Sequence, residues 1–243
     1  MAMKSPKVSP WLLYVGFIAL AAFALILFVR DGSFGESQIA TSIFALIGTF
    51  FGALFAFRLQ ESKEKAKEVK ARKTALNRAL LVLGMHHNEI QNYIKELSPY
   101  VSEVDRAFNL PASQPVENLD LRQKFDELDF LLESSNPNIL VELIIEQQRF
   151  DQVMQAIKLR NNFYVNEVQP VFAAQGLNHR LVAREELREK LGERLFEGAI
   201  TQVKMVYDHV GSSNDSLQEV FGKLRTVAKE LFPSEGFVQF SPK

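Results

Sequence analysis

Two stretches near the N-terminus carry no charged side chain. They are residues 11–29 (WLLYVGFIALAAFALILFV) and residues 38–57 (QIATSIFALIGTFFGALFAF), separated by the short linker 30–37. At about 1.5 Å of rise per residue, helices of these lengths measure roughly 29 and 30 Å, which matches a bilayer hydrocarbon core of about 30 Å. The pattern predicts a hairpin of two membrane-spanning helices with a small external loop.

Two other interpretations of these stretches compete with the hairpin. Lys4 and Lys7 precede the first stretch, as in a secretory signal peptide, but the stretch is longer than the roughly 7 to 15 residues of a signal h-region. A pair of buried core helices would show amphipathic faces, and neither stretch has one. An uncleaved hairpin anchor is therefore favoured.

Beyond residue 58 the apolar positions change to alternating steps of four and three. This spacing is typical of the a/d seam of a helix that packs along another helix. It predicts a coiled-coil-like stalk helix within 58–110, kinked at Pro99 because proline removes a backbone donor and collides with the preceding turn. The seam comprises Leu76, Leu80, Leu83, His87, Ile90, Ile94, Leu97, Val101, Val104 and Phe108.

Further helices are predicted in the remainder, residues 111–243. Asn136 is a candidate N-cap with proline following it, Gly176 and Gly211 are candidate helix ends, and Ser213-Asn214-Asp215 is a candidate cap. No β pattern reaches comparable length, so we expect an all-α protein: a transmembrane hairpin, a stalk helix and a cytoplasmic helical bundle. The predicted helices cover about 137–173, 179–210 and 215–232, with a weaker one over 119–133 and a loose or docked extended tail after them.

Charge is unevenly distributed along the chain. Residues 1–78 hold 11 Lys/Arg against 5 Asp/Glu, a net of +6, so the remainder carries −7 within the total of −1. The positive-inside rule then places both termini, including residues 1–10, in the cytoplasm of a bacterial inner membrane. Basic residues after the second span are predicted to contact lipid headgroups, at about 1 kcal/mol each; the alternative is a topology signal on a solvated helix. They are Arg58, Lys63, Lys65, Lys67, Lys70, Arg72 and Lys73.

Candidate chemistry is sparse. The chain has no cysteine, and it shows no phosphate-binding glycine loop, nucleophile elbow or HExxH motif. His86 and Glu89 share a helix face, but a metal site needs three or four ligands and no second motif supplies them. His87 falls on the apolar seam, where a polar residue typically fixes helix register. We therefore expect no enzyme activity, no metal and no cofactor, and a register role for His87.

Polar residues also interrupt the apolar face of the 137–173 helix. Gln147 and Asn161 are interpreted as buried polar partners. Arg160, Asn161 and Asn162 together could bind a small polar ligand, although capping or packing is the simpler interpretation. With a charge of −7, the part beyond the membrane lacks the basic footprint of general nucleic-acid binding.

The second apolar stretch has small residues every four positions. Gly48, Gly52 and Ala56 would let another helix approach closely, which drives helix association in lipid. The partner is either the first span of the same chain or the same ridge on a second copy. Because the spans hold no ionisable residue, ordinary proton or ion transport is excluded.

The stretch FFGALFAFRLQESKEK and the segment LDFLLESSNPNILVELIIEQQRFDQVMQAIKLRNNFY carry a resemblance. Together with the two-span architecture they resemble the two-transmembrane effectors of bacterial anti-phage systems, including the retron-associated type. The resemblance implies an effector kept inactive by a protein or nucleoprotein partner that senses infection. When triggered, it would assemble in the inner membrane and disrupt it. The alternative is a membrane-anchored scaffold or regulatory subunit without membrane-damaging activity.

Overall fold

The computed structural model describes residues 38–113, 122–177 and 182–239, with side chains from residue 45 onward. The predicted N-terminal segment 1–10, first span 11–29 and loop 30–37 lie outside the described residues. Every regular element in the described part of the chain is helical, which confirms the all-α class. The chain divides into two compact units, Met1–Ala66 and Lys67–Lys243.

The helices follow the predicted order with different boundaries. The weaker helix predicted over 119–133 is a 3₁₀ helix in its described part. In chain order the elements are α1 Gln38–Leu97, α2 Glu103–Phe108, the 3₁₀ helix Phe125–Glu133, α3 Asn138–Phe163, a π-helical segment Tyr164–Val168, α4 Gln169–Ala174, α5 Arg184–Leu191 and α6 Glu193–Leu231.

The predicted seam is buried against this chain's own helices. Leu76, Leu80 and Leu83 are almost fully buried and belong to one hydrophobic core with residues of α3 and α6. The hydroxyl of Tyr207 in α6 donates to the Leu97 carbonyl at 2.8 Å. From residue 67 onward, α1 is therefore an integral helix of the bundle, whereas the sequence predicted a separate stalk there.

Pro99 ends α1 instead of kinking it. The helix stops at Leu97, and α2 begins after Ser102, whose hydroxyl accepts a hydrogen bond from the Asp105 amide at 3.1 Å. Proline lacks an N–H and disfavours helical geometry at the residue before it, so a new helix with its own N-cap is the favoured solution. Val101, predicted on the seam, lies in this break and is 77% exposed.

The helix predicted over 137–173 is present, with a π-helical segment before Pro170. The Gln169 amide donates to the Tyr164 carbonyl five residues earlier. Pro170 has no N–H to offer and its ring crowds the preceding turn, which the wider π turn accommodates. The run ends as predicted at Gly176, whose φ of +62° allows the Leu177 amide to reach the Phe172 carbonyl at 3.0 Å.

The predicted break at Gly211 was wrong. A single helix, α6, continues through it, and the predicted cap residue Ser213 is buried inside that helix. Glycine in a helix costs only about 1 kcal/mol, and the apolar face spanning this position more than offsets it. The break occurs at Gly192, whose φ of +74° and ψ of 158° favour glycine.

Close packing positions α6 against α3, and hydrogen bonding positions the C-terminal tail against α1. At Gly198 a Cβ atom would lie 2.7 Å from Cζ of Phe163, so glycine permits close packing of α3 and α6. After α6, the extended tail docks on α1 as far as it is described: the Val238 amide donates to Asn77 Oδ1 at 3.1 Å, and Phe237 is buried.

Candidate membrane segment and buried polar layer

Large apolar side chains in the first unit remain exposed. Phe55 is 70% exposed and Phe57 is 73% exposed, and three more large apolar side chains within four turns of α1 are exposed, whereas Ile47, Phe51 and Leu54 are half-buried. Such a concentration of exposed apolar surface marks a membrane or partner contact. We call the exposed set the apolar segment, and it comprises Leu46, Phe50, Phe55, Phe57 and Leu59.

The described helices give the predicted spans no support. Over the ranges that the structure describes, every helix is too short or too polar to cross a bilayer. The first span is outside those ranges, and in the second only the side chains from Ala45 onward are described. The two-span hairpin therefore stays a prediction.

The small-residue ridge is open on the described part of the chain. A Cβ atom built at Gly48 or Gly52 would have no described atom outside its own helix turn within 4 Å, and Ala56 is exposed. The ridge therefore has room for a neighbouring helix. Its role in packing remains a prediction.

The basic residues predicted at lipid headgroups fall into two groups. Lys65 and Arg72 each pair with a glutamate one turn earlier, and Lys73 pairs with Glu235 of the tail at 2.7 Å. The hydrogen bond from Lys65 lowers the pKa of Glu61. The others are exposed and form no ion pair with any residue that the structure describes: Arg58, Lys63, Lys67 and Lys70. Headgroup contact by these side chains stays a prediction.

Adjacent histidines of α1 lie in the core of the second unit. His86 is fully buried, and its ring stacks on Phe150 of α3 with centroids 3.8 Å apart. His87 is 2% exposed, and the side-chain amide of Gln218 donates to its Nε2 at 2.9 Å. Burial lowers the pKa of His87, against a smaller opposing effect of a hydrogen bond with Asn214. A neutral imidazole at neutral pH is therefore expected.

Polar groups of α3 and α6 extend this feature, which we call the buried polar layer. The carboxylate of Glu146, 2% exposed, accepts hydrogen bonds from Arg149 at 2.7 Å and from Ser216 at 2.8 Å. Because directional bonds join α1, α3 and α6, sliding one helix would leave buried groups unpaired. The layer has a buried centre of His86, His87, Glu146 and Ser213. Half-buried Gln91, Asn214 and Ser216 and exposed Gln218 form its edge.

His87 lies where a register residue would lie, facing α6, and this role stays a prediction. Glu146 was missed by the sequence interpretation. The signal was present, because Glu146 stands on the same four-and-three spacing as Leu143 and Phe150. As for metals, the described ranges contain no group of three or more His, Cys, Asp or Glu side chains that could hold an ion.

Arg160 and Asn161 hold the segment that follows α2. The buried guanidinium of Arg160 donates to the carbonyls of Leu110, at 2.5 Å, and Pro111, at 2.9 Å, and lies over the Tyr164 ring. Asn161 donates to the Ser113 carbonyl. Desolvation lowers the pKa of Arg160. These hydrogen bonds to the main chain are what the capping and packing interpretation of Arg160 and Asn161 predicts.

Gln147 is a buried polar partner as well. Its carbonyl oxygen accepts from the Gln123 amide at 3.1 Å, and its NH₂ group donates to Asp151 at 3.2 Å. Asn162 is exposed. The polar residues of α3 thus tie the connection between α2 and the 3₁₀ helix to the bundle.

Comparison with known proteins returned nothing: no protein-family model, no curated protein and no solved structure matches the chain.

Proposed function

We propose that this chain is a non-enzymatic, membrane-embedded effector of a bacterial anti-phage system. A protein or nucleoprotein partner that senses infection holds it inactive, and on triggering it disrupts the inner membrane. The observation that carries the proposal is the apolar segment, whose five large side chains are 57% to 73% exposed. The inhibitory partner and the disruption of the membrane on triggering are proposed from the resemblance of the sequence to two-transmembrane effectors.

The free energy gained by burying the apolar segment favours contact with lipid. Burying a large apolar side chain gains about 1.5 to 3 kcal/mol, so five side chains exposed to about two-thirds leave roughly 5 to 10 kcal/mol to be gained. Residues 38–57 contain no charge, and exposed Arg58, Lys63, Lys67 and Lys70 follow them. An uncharged helix next to cations suits a bilayer with anionic headgroups.

The proposed arrangement is a hairpin of spans 11–29 and 38–57 with both termini in the cytoplasm. The ridge of Gly48, Gly52 and Ala56 brings spans of neighbouring copies together, since close backbone approach drives helix association in lipid. The second unit, from residue 67, faces the cytoplasm and receives the partner.

A membrane-anchored scaffold or regulatory subunit is the competing function. It is favoured by one observation: the seam of α1 is closed by α3 and α6, so the second unit has a complete core of its own. Such a unit could act as a tethered binding module without any change in the membrane.

Topology is tested first, and the absence of cysteine makes this direct. Single variants Ser33→Cys, Ser62→Cys and Ser234→Cys are labelled with a membrane-impermeant maleimide in intact and in permeabilised cells. We expect Ser33→Cys to react from outside, and the other two only after permeabilisation. Equal labelling of all three in intact cells would refute the hairpin.

Membrane damage is tested second, with a membrane-potential dye during induced expression and during phage infection. Gly48→Ile and Gly52→Ile should abolish depolarisation. Phe50→Ile is the matched control, because it keeps the segment apolar and lies about 160° around the helix from Gly52. If the wild-type chain inserts with the expected topology but never depolarises cells, the scaffold function replaces the effector.

A further inference from the structure

A cavity of about 440 Å³ lies on the flank of α6, beside the docked tail. Residues of α6 between Gln218 and Lys229, including Gly222, line it together with Gln239 of the tail. Small-molecule sites typically enclose about 300 to 1,000 Å³, so the cavity suits a small ligand.

The cavity wall is positively charged. Arg225 and Lys229 line it, and none of the described residues that line it is acidic. The Lys229 ammonium donates to the main-chain oxygen of Glu235 at 2.8 Å. Its charge has no carboxylate partner among the described residues.

Arg225 has an unsatisfied donor. Its Nε–H is buried, and no described residue offers it a hydrogen-bond acceptor. A buried donor without an acceptor is unfavourable, and a guanidinium favours an anion over a neutral acceptor. The carboxylates of α6 nearest in sequence are engaged elsewhere: Glu219 pairs with Lys223 at 2.7 Å, and Glu230 accepts a hydrogen bond from Ser135.

We propose that this cavity binds a phosphate group carried by a small molecule. The planar fork of Arg225 matches two phosphate oxygens, and Lys229 adds a second charge at one turn's distance. One arginine and one lysine in a partly open cavity suit a single phosphate, whereas nucleic-acid binding needs an extended basic surface. Gln218 of the cavity wall hydrogen-bonds His87, so the ligand lies one side chain from the buried polar layer.

The phosphate could belong to a soluble ester or to a lipid headgroup, and the probes separate these sources. Isothermal titration calorimetry is performed on the full chain, purified with a nonionic detergent that covers the apolar segment. The probes are inorganic phosphate, adenosine monophosphate and dihexanoyl phosphatidylglycerol, a short-chain soluble lipid. Binding of a soluble phosphate indicates the first source, and binding of the lipid alone indicates the second.

Three variants test the site. Gly222→Leu fills the cavity without changing its charge; a Cβ there meets nothing within 4 Å, and leucine is the better helix former, so folding should be retained. Arg225→Gln removes the guanidinium. Lys204→Gln removes a positive charge from an exposed position elsewhere on α6 and is the matched control.

We expect at least one probe to bind the wild-type chain and Lys204→Gln with equal affinity. Arg225→Gln should weaken that binding about 10- to 100-fold, and Gly222→Leu should abolish it. Far-ultraviolet circular dichroism confirms that each variant is helical. The proposal is overturned if no probe binds the wild-type chain, or if Arg225→Gln and Gly222→Leu bind as the wild type does.

Discussion

Replacing Leu80 by alanine tests whether the seam of α1 belongs to the core of its own chain. Leu80 is fully buried against the bundle, while the next residue, Leu81, is 52% exposed. The two leucines share a helix, a helix propensity and a sequence neighbourhood. They differ in what surrounds them, so Leu81→Ala is a matched control.

The expected magnitude follows from the burial. A buried Leu→Ala change costs about 2 to 5 kcal/mol, because it loses transfer free energy and leaves a cavity. With a denaturant slope of about 2 kcal/mol/M, the urea midpoint of Leu80→Ala should fall by about 1 to 2.5 M. A substitution at an exposed position stays within about 0.5 kcal/mol, so Leu81→Ala should shift the midpoint by less than about 0.3 M.

The assay is urea unfolding of the full chain followed at 222 nm, with molar mass measured by light scattering before unfolding. If the seam is closed within one chain, Leu80→Ala keeps the wild-type mass while losing stability. Equal midpoints for the two variants would refute the packing described for α1. A loss of mass in Leu80→Ala would show that the seam pairs with a second copy, as in a coiled-coil stalk.

Three further predictions concern the second unit. Because burial lowers the pKa of His87 below its unfolded value of about 6.5, the unfolded chain binds more protons as the pH falls below that value. The unfolding midpoint should be constant above about pH 6.5 and fall towards pH 5. His87→Gln should reduce this slope, and a flat wild-type profile would contradict the assignment. Gly192→Ala should destabilise by about 1 to 3 kcal/mol because alanine is strained at φ +74°, while Gly211→Ala should stabilise by about 0.5 to 1 kcal/mol. Thermal unfolding measures the stability change of each variant. Two changes of the same sign would be inconsistent with an α6 that begins after Gly192 and continues unbroken through Gly211. Arg160→Met should destabilise by about 2 to 4 kcal/mol in urea, since two carbonyls lose a charged donor; a cost below about 0.5 kcal/mol would show that water replaces those bonds.

Apolar spacing predicted the helices well, because a buried face imposes its period on the sequence. The seam from Leu76 to Leu97 and the end of the long helical run at Gly176 follow from it directly. Spacing does not identify the partner of a seam, since any apolar face of matching period satisfies it. For this reason the sequence predicted a stalk packed along an unidentified helix, where the structure has a helix of the bundle.

The two glycines of the C-terminal region show a different limit. Gly211 and Gly192 look alike as residue types, and the decision between helix and break depends on the faces buried around each of them. Hydrogen-bond partners that lie far apart in the sequence could not be predicted either. The sequence favoured a capping or packing role for Arg160, but its partners, the carbonyls of Leu110 and Pro111 some 50 residues earlier, could not be predicted.

The π-helical segment Tyr164–Val168 has a consequence for chain length. A π turn holds one residue more than an α turn, so losing that residue makes it α-helical without rotating the residues after it, at the cost of the room that the π turn gives the Pro170 ring. Deleting a residue elsewhere in α3 would instead turn every later side chain by about 100°. Exposed Asn166 is thus a position where the chain can shorten by one residue while Phe172 stays in the core. Length variation among related chains is expected to concentrate there.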